Sequence, residues 1–165
     1  MDPFVNVNIL TFFFRNGRGS DVPQALEYVL EVLVNRRYMS GSRYYLSPEM
    51  YLYLMSRLLD SDAALCSRAM PVFRERVKER VGIPVDPVDR AMRLIVCCKF
   101  GIENDVDLPE LLAAQLADGG WGVGWLYKYG RSGVNIGNRG VSTAFAVRAI
   151  RMATQDAADS GYAPF

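Results

Sequence analysis

Histidine is absent: the count is 0 in 165 residues. That removes the imidazole on which Ser-His-Asp and Cys-His catalysis depend, together with the commonest transition-metal ligand. Zinc would need thiolates and carboxylates alone. The 3 cysteines, Cys66, Cys97 and Cys98, form no C-x-x-C pair and no disulfide framework. Cys97 and Cys98 sit side by side in an apolar run and read as buried free thiols, which suits a reducing compartment. Metal hydrolases fit poorly, and no metal or cofactor is expected.

Other absences narrow the field further. No apolar stretch approaches the ~20 residues needed to span a bilayer, because Asn6 and Asn8 interrupt the run from Phe4 to Phe14. The start, Met1-Asp2-Pro3, lacks the basic n-region of a signal peptide, so a cytoplasmic location is expected. The chain enters an apolar helix at once, which reads as a cut through a larger protein. Charge of either sign is scarce in the balance: 19 basic against 18 acidic residues leave +1. Neither nucleic acid nor an anionic membrane is expected as a partner.

What is present is a globular composition, 50% hydrophobic and 22% charged, in a chain of a size that buries roughly 70% of its unfolded surface. Helix one is expected from about Phe4 to Phe14, ending at Gly17 and Gly19. Helix two follows Asp21, with Pro23 in its first turn and Ala25, Leu26, Val29, Leu30 and Leu33 on one face. Ser47-Pro48-Glu49 reads as cap, first-turn proline and acid at the positive helix end, opening helix three to Leu59. Helix four is expected from Asp62 to Gly82, bent or broken at Pro71. Its charges Arg74, Glu75, Arg76, Lys78, Glu79 and Arg80 read as a solvated face. Asp86-Pro87 repeats the cap signal for helix five, which stops at Gly101, and Asp107 is expected to cap a short helix six, Leu108 to Gln115. A glycine-rich loop from Asp118 to Gly140 should lead to helix seven, Ser142 to about Ala153.

Helices one, three, five and seven are apolar nearly all round, whereas helices two and four are amphipathic. Helices apolar on every side must be buried on every side. The alternation therefore predicts an all-α fold of about seven helices, in antiparallel inner and outer pairs, over residues 1–154, with a polar tail at 155–165. An open solenoid and part of a closed α/α-barrel both satisfy it. Uneven helix spacing argues against a solenoid, which keeps a steady period.

Between helices six and seven stands Gln115-Leu116-Ala117-Asp118-Gly119-Gly120-Trp121, a Q-x-x-D-G-x-W pattern. It resembles the QW repeat of the terpenoid cyclase and protein prenyltransferase superfamily. With Gly122 to Gly140 and the Asp2-Pro3-Phe4-Val5-Asn6-Val7-Asn8 start, the chain looks like the fungal branch of class II terpene cyclases. The resemblance implies part of an α/α-toroid, with Gln115, Asp118, Gly119 and Trp121 in structural roles. Lack of histidine sets the zinc-dependent prenyltransferase branch aside. It also implies a linear isoprenoid or its diphosphate as ligand, with Trp125, Tyr127, Tyr129, Tyr44 and Tyr45 as candidate pocket aromatics and Arg131 and Arg139 as candidate diphosphate contacts.

A cyclase of this class protonates an olefin or epoxide from a D-x-D-D-type motif, which requires a carboxylic acid held protonated and made strongly acidic. No such motif is present, nor a D-D-x-x-D metal cluster. Asp60-Ser61-Asp62, Asp86-Pro87-Val88-Asp89 and Asn104-Asp105-Val106-Asp107 each read as a helix junction. The expectation is a terpene cyclase-like partial domain, inactive alone. The alternatives are a helical-repeat scaffold for a protein partner and a non-catalytic isoprenoid-binding relic. Because a partial barrel bares an apolar inner face, the isolated chain is expected to self-associate. Sedimentation velocity checks this, and a monomer at all concentrations would oppose it.

Overall fold

Short polar side chains placed before prolines set three helix starts in this chain, at Asp2-Pro3, Ser47-Pro48 and Asp86-Pro87. A computed structural model describes residues 1–130 and 132–159, with the side chains of 156–159 left aside. The Asp2 carboxylate accepts from the Phe4 and Val5 amides and opens α1, Pro3–Arg15. Pro23 starts α2, Pro23–Val34. Ser47 caps α3, Pro48–Leu59, through the Met50 amide. Asp62 caps α4, Ala63–Lys78, and Asp86 caps α5, Pro87–Phe100. Gly101, with φ at 57°, closes α5 in the left-handed conformation that favours glycine. Next come α6, Asp107–Ala113, a two-stranded hairpin of β1, Trp125–Lys128, and β2, Asn135–Gly137, and then α7, Arg139–Asp159.

The fold is all-α, with the hairpin as its only sheet among the described residues. Helices α1, α3, α5 and α7 pack in sequence order as an inner row, each on its neighbour, while α2, α4 and α6 pack outside. Burial follows position in the row. α3 and α5 lie within it and bury nine residues each. α1 and α7 end it and keep one flank bare: Ile9 and Phe12 are 45% and 66% exposed, and Ala144 and Arg148 are exposed. The expectation of burial all round therefore holds for α3 and α5 alone. No helix among the described residues is long and apolar enough to cross a membrane.

Other sequence expectations change in the structure. α4 runs on across Pro71 as one helix. Part of the glycine-rich loop is the hairpin. α7 starts three residues earlier than Ser142, is capped by Asn138, and continues to Asp159, so residues 155–159 of the expected tail are helical. The charged half of α4 is a solvated face only in part: Glu75, Lys78 and Glu79 are exposed, but the arginines turn inward. Arg76 is 6% exposed and donates to the Leu33 and Val34 carbonyls at the end of α2. Arg74 donates to the Phe100 and Gly101 carbonyls at the end of α5. A guanidinium there satisfies orphan carbonyls and meets the negative end of the helix dipole.

Asp107 is not a cap either. It is fully buried, and both its oxygens accept from Arg93, at 2.6 and 2.5 Å. Arg93, 2% exposed, also donates to Glu49 at 3.2 Å and to the Ile83 carbonyl at 2.9 Å. Glu49 in turn accepts from Arg80 at 2.9 Å. Burial works against the Arg93 charge, but the Asp107 hydrogen bonds and the charges of Asp107 and Glu49 leave its pKa raised. One guanidinium thus joins α3, α5, α6 and the α4–α5 loop.

Removing Arg93 takes the forked cation from two buried carboxylates, leaving Asp107 only Asn104 and the more distant Arg90, and Glu49 only Arg80. Arg93→Met is expected to lower stability by about 3–5 kcal/mol in urea denaturation. Arg93→Lys should rescue little, since a single ammonium cannot reproduce the fork that engages Asp107, Glu49 and Ile83 together.

Candidate functional site

The segment joining α6 to α7 forms two linked pieces, a tight turn and the hairpin. In the turn, Gln115 donates to the Gly119 carbonyl at 2.8 Å, and Asp118 accepts from the Gly120 amide at 3.1 Å. Trp121 is 2% exposed, and its indole Nε1 donates to the Leu111 carbonyl of α6 at 2.8 Å. Its backbone amide donates to Thr143 of α7 at 3.2 Å. Trp121 is thereby wedged between α6 and α7, in a cluster with Ala91, Leu94, Ile95, Leu111, Ala146 and Ala149. Arg139 donates to Asp118 and to the Trp121 carbonyl. The Arg139 guanidinium holds the Asp118 carboxyl below its ordinary range. As placed here, Arg139 clamps the turn. Arg131 lies outside the described residues.

The hairpin pairs Trp125 with Gly137, Tyr127 with Ile136 and Lys128 with Asn135, leaving an irregularity between Trp125 and Tyr127. Leu126 points into the core, while Trp125 and Tyr127 are exposed. On its other edge β1 meets the α2–α3 loop: Tyr45 bridges Tyr127, and the Lys128 amide donates to the Tyr44 carbonyl at 2.7 Å. The two loops flagged in the sequence therefore come together. Tyr44, Tyr127 and Tyr129 line an open concavity of about 510 Å³ with Arg43 and Lys128. The Arg43 guanidinium lies 5.4 Å from the Tyr44 ring centroid. Neither Arg43 nor Lys128 has an acidic partner among the described residues. A second concavity, of about 480 Å³, shares Arg43 and Tyr44 and reaches Tyr28 and Arg37.

Of the other flagged aromatics, Tyr45 turns inward and stacks on Phe4 with ring centroids 5.1 Å apart. Trp125 stands at the hairpin base, 47% exposed and outside the concavity lining. Sequence reasoning passed over Arg43 and Lys128, although each adjoins a flagged tyrosine in the chain. Aromatic faces beside cations that have no acidic partner among the described residues suit a ligand that is apolar along its length and anionic at one end.

The acids occupy other places. Asp62 and Asp86 are caps, Asp60 pairs with Lys99 at 2.9 Å, and Asp107 is held by Arg93. Asp89 differs from these. It is 7% exposed and accepts a 2.6 Å hydrogen bond from Ser47. Burial, then the Asp86 charge, pushes its pKa up to about 7; Ser47 and Arg93 oppose the rise and Glu49 adds to it. It lines neither of the aromatic concavities. Cys97 is buried and its thiol is pushed up to about 11 by burial, while Cys66 and Cys98 are half-buried.

Over 152 residues, 91% of its length, the chain is 41% identical to drimenol cyclase drtB of Aspergillus calidoustus. The match spans 29% of that protein. The chain is therefore similar to a terpene cyclase and corresponds to under a third of its length. No protein-family model matches the chain, and no solved structure matches it.

Replacing Trp121 by Phe keeps an aromatic side chain, though a smaller one, and leaves the Leu111 carbonyl without its donor. A loss of about 1–3 kcal/mol is expected in thermal unfolding. Gln115→Ala, whose hydrogen bond is exposed, should cost less than about 1 kcal/mol.

Proposed function

We propose that the chain is a terpene cyclase-like partial domain that binds an isoprenoid diphosphate and, alone, does not cyclise it. The observation that carries this reading is 41% identity to a drimenol cyclase along 91% of the chain, in a sequence without a D-x-D-D motif. The concavity of Tyr44, Tyr127 and Tyr129 supplies aromatic faces that suit a polyene, and Arg43 and Lys128 supply cations that suit its diphosphate. Arg139, spent on Asp118 and the Trp121 carbonyl, takes a structural part in this reading.

Beginning a class II cyclisation requires a proton aimed at a double bond from an acid that reaches the substrate. The caps Asp62 and Asp86 accept from backbone amides, and Asp107 is ionically bound to Arg93. Asp89 holds a proton near neutral pH but is buried against Ser47, away from both concavities. An acid supplied from other chain would be needed. An in-frame D-x-D-D or D-x-D-T motif upstream in the gene would favour a truncated product over a decayed copy. The bare flank of α1, with Ile9 and Phe12, supports self-association of the isolated chain.

The test is incubation with farnesyl and geranylgeranyl diphosphates, with binding read by calorimetry and products by mass spectrometry. Binding without cyclised product is expected, and the Arg43→Ala, Lys128→Ala double variant should bind about tenfold more weakly, or about 1.4 kcal/mol. Cyclised product from the purified chain would overturn the inactive reading. Each of Asp62, Asp86, Asp89, Asp105 and Asp107 would then be replaced in turn.

A further inference from the structure

The hairpin that carries Tyr127 and Tyr129 is fastened to the helices at its base. The Gly124 amide donates to the Ser142 hydroxyl of α7 at 2.9 Å, and the Trp125 amide donates to Asp86 Oδ2 at 3.3 Å. The contact is close. A side chain at Gly124 would run into Val88 and Asp86, and one at Gly137 would run into the Gly124 carbonyl. The other Asp86 oxygen accepts from the Val88 and Asp89 amides at 3.0 Å each. One carboxylate therefore caps α5 and holds β1.

One turn along α5, Asp89 lies buried behind that carboxylate, with Ser47 donating to it at 2.6 Å and also accepting from the Met50 amide. The charged groups that face Asp89 are Asp86 at the start of its own helix, Glu49 from α3 and Arg93 from α5. Arg93 is already engaged by Asp107 and Glu49, so it offers little to a new charge. If Asp89 loses its proton, two carboxylates face each other with no free cation between them among the described residues. Asp86, half-buried, can relieve this by turning outward, and its longest bond, to Trp125, is the first to be lost.

We propose that Asp86 and Asp89 form a proton-operated latch, in which Asp86 holds the aromatic hairpin on α5 only while Asp89 keeps its proton. Asp86 and Asp89 are positioning residues, acting on Tyr127 and Tyr129 through the backbone of β1. The latch needs no ligand, so it stands or falls separately from isoprenoid binding. The sign follows from the raised pKa: the neutral form of Asp89 dominates below about 7 and is lost as pH rises through it. The latch is closed on the acid side and loosens on the alkaline side.

The 2 tryptophans make this measurable. Trp121 is 2% exposed and Trp125, beside the latch, is 47% exposed, so acrylamide quenching reports chiefly on Trp125. Quenching of the whole chain should rise about twofold between about pH 5.5 and about pH 8.5, with its midpoint at about 7 and with unchanged helical circular dichroism. Asp89→Asn should stay low and flat. Asp86→Asn, with one acceptor oxygen for three amides, should be high throughout. Quenching that does not change with pH overturns the proposal. So does a change that persists in Trp125→Phe, or one that coincides with loss of helix.

Discussion

Arg93 is the interaction on which the arrangement turns. A guanidinium that is nearly inaccessible to water can persist only if its donors are matched, and here they meet two carboxylates and a carbonyl from three different parts of the chain. The attraction inside a poorly polarisable interior is strong, but so is the cost of taking three charges out of water. The pairing therefore contributes less to net stability than to uniqueness. Any shift of α3 against α5, or of α6 against either, leaves a buried charge without its partner. The hydrophobic contacts of the inner row would tolerate a small slide; the ionic knot would not.

Around that knot the structure solves a recurring problem, the unsatisfied groups at helix ends. Several starts are capped from within, by the side chain just before the helix, as at Asp2, Ser47, Asp62 and Asp86. Several ends are capped from without. Arg76 serves α2, Arg74 serves α5, Lys99 reaches the Ser56 carbonyl near the end of α3, and the Trp121 indole serves α6. The Gln115–Trp121 turn belongs to this system. Trp121 fills the space between α6 and α7 while its indole nitrogen closes a helix.

This division explains what could be read from the chain. Start caps at Ser47, Asp62 and Asp86 were legible because the signal lies within three residues of sequence. Asp2-Pro3 carried the same signal and was passed over. Asp107 looked locally like another cap, but Arg93, fourteen positions away, captures it, and nothing beside Asp107 announces that. Arg74 and Arg76 looked like part of a wet face because the acceptors that draw them inward are carbonyls, which leave no mark in a sequence. The inner row was legible from apolar runs, yet its ends were not, since α1 and α7 have the composition of buried helices and only one neighbour in the row. At the candidate site, Tyr44, Tyr127 and Tyr129 were flagged on two separate loops and are brought together. The alternation Trp125, Tyr127, Tyr129 was a strand signal inside a segment whose glycines read as loop.

Capping from without also bears on how such a protein can change over evolutionary time. In arrays built from self-sufficient units, a helix pair can be duplicated or deleted and the neighbours close up around it. Here α3 and α4 could not be excised so simply. The ends of α2 and α5 would lose Arg76 and Arg74 at a stroke, and Arg93 would lose Glu49. The units are interlocked by loaned side chains, and growth or loss by whole repeats is correspondingly restricted.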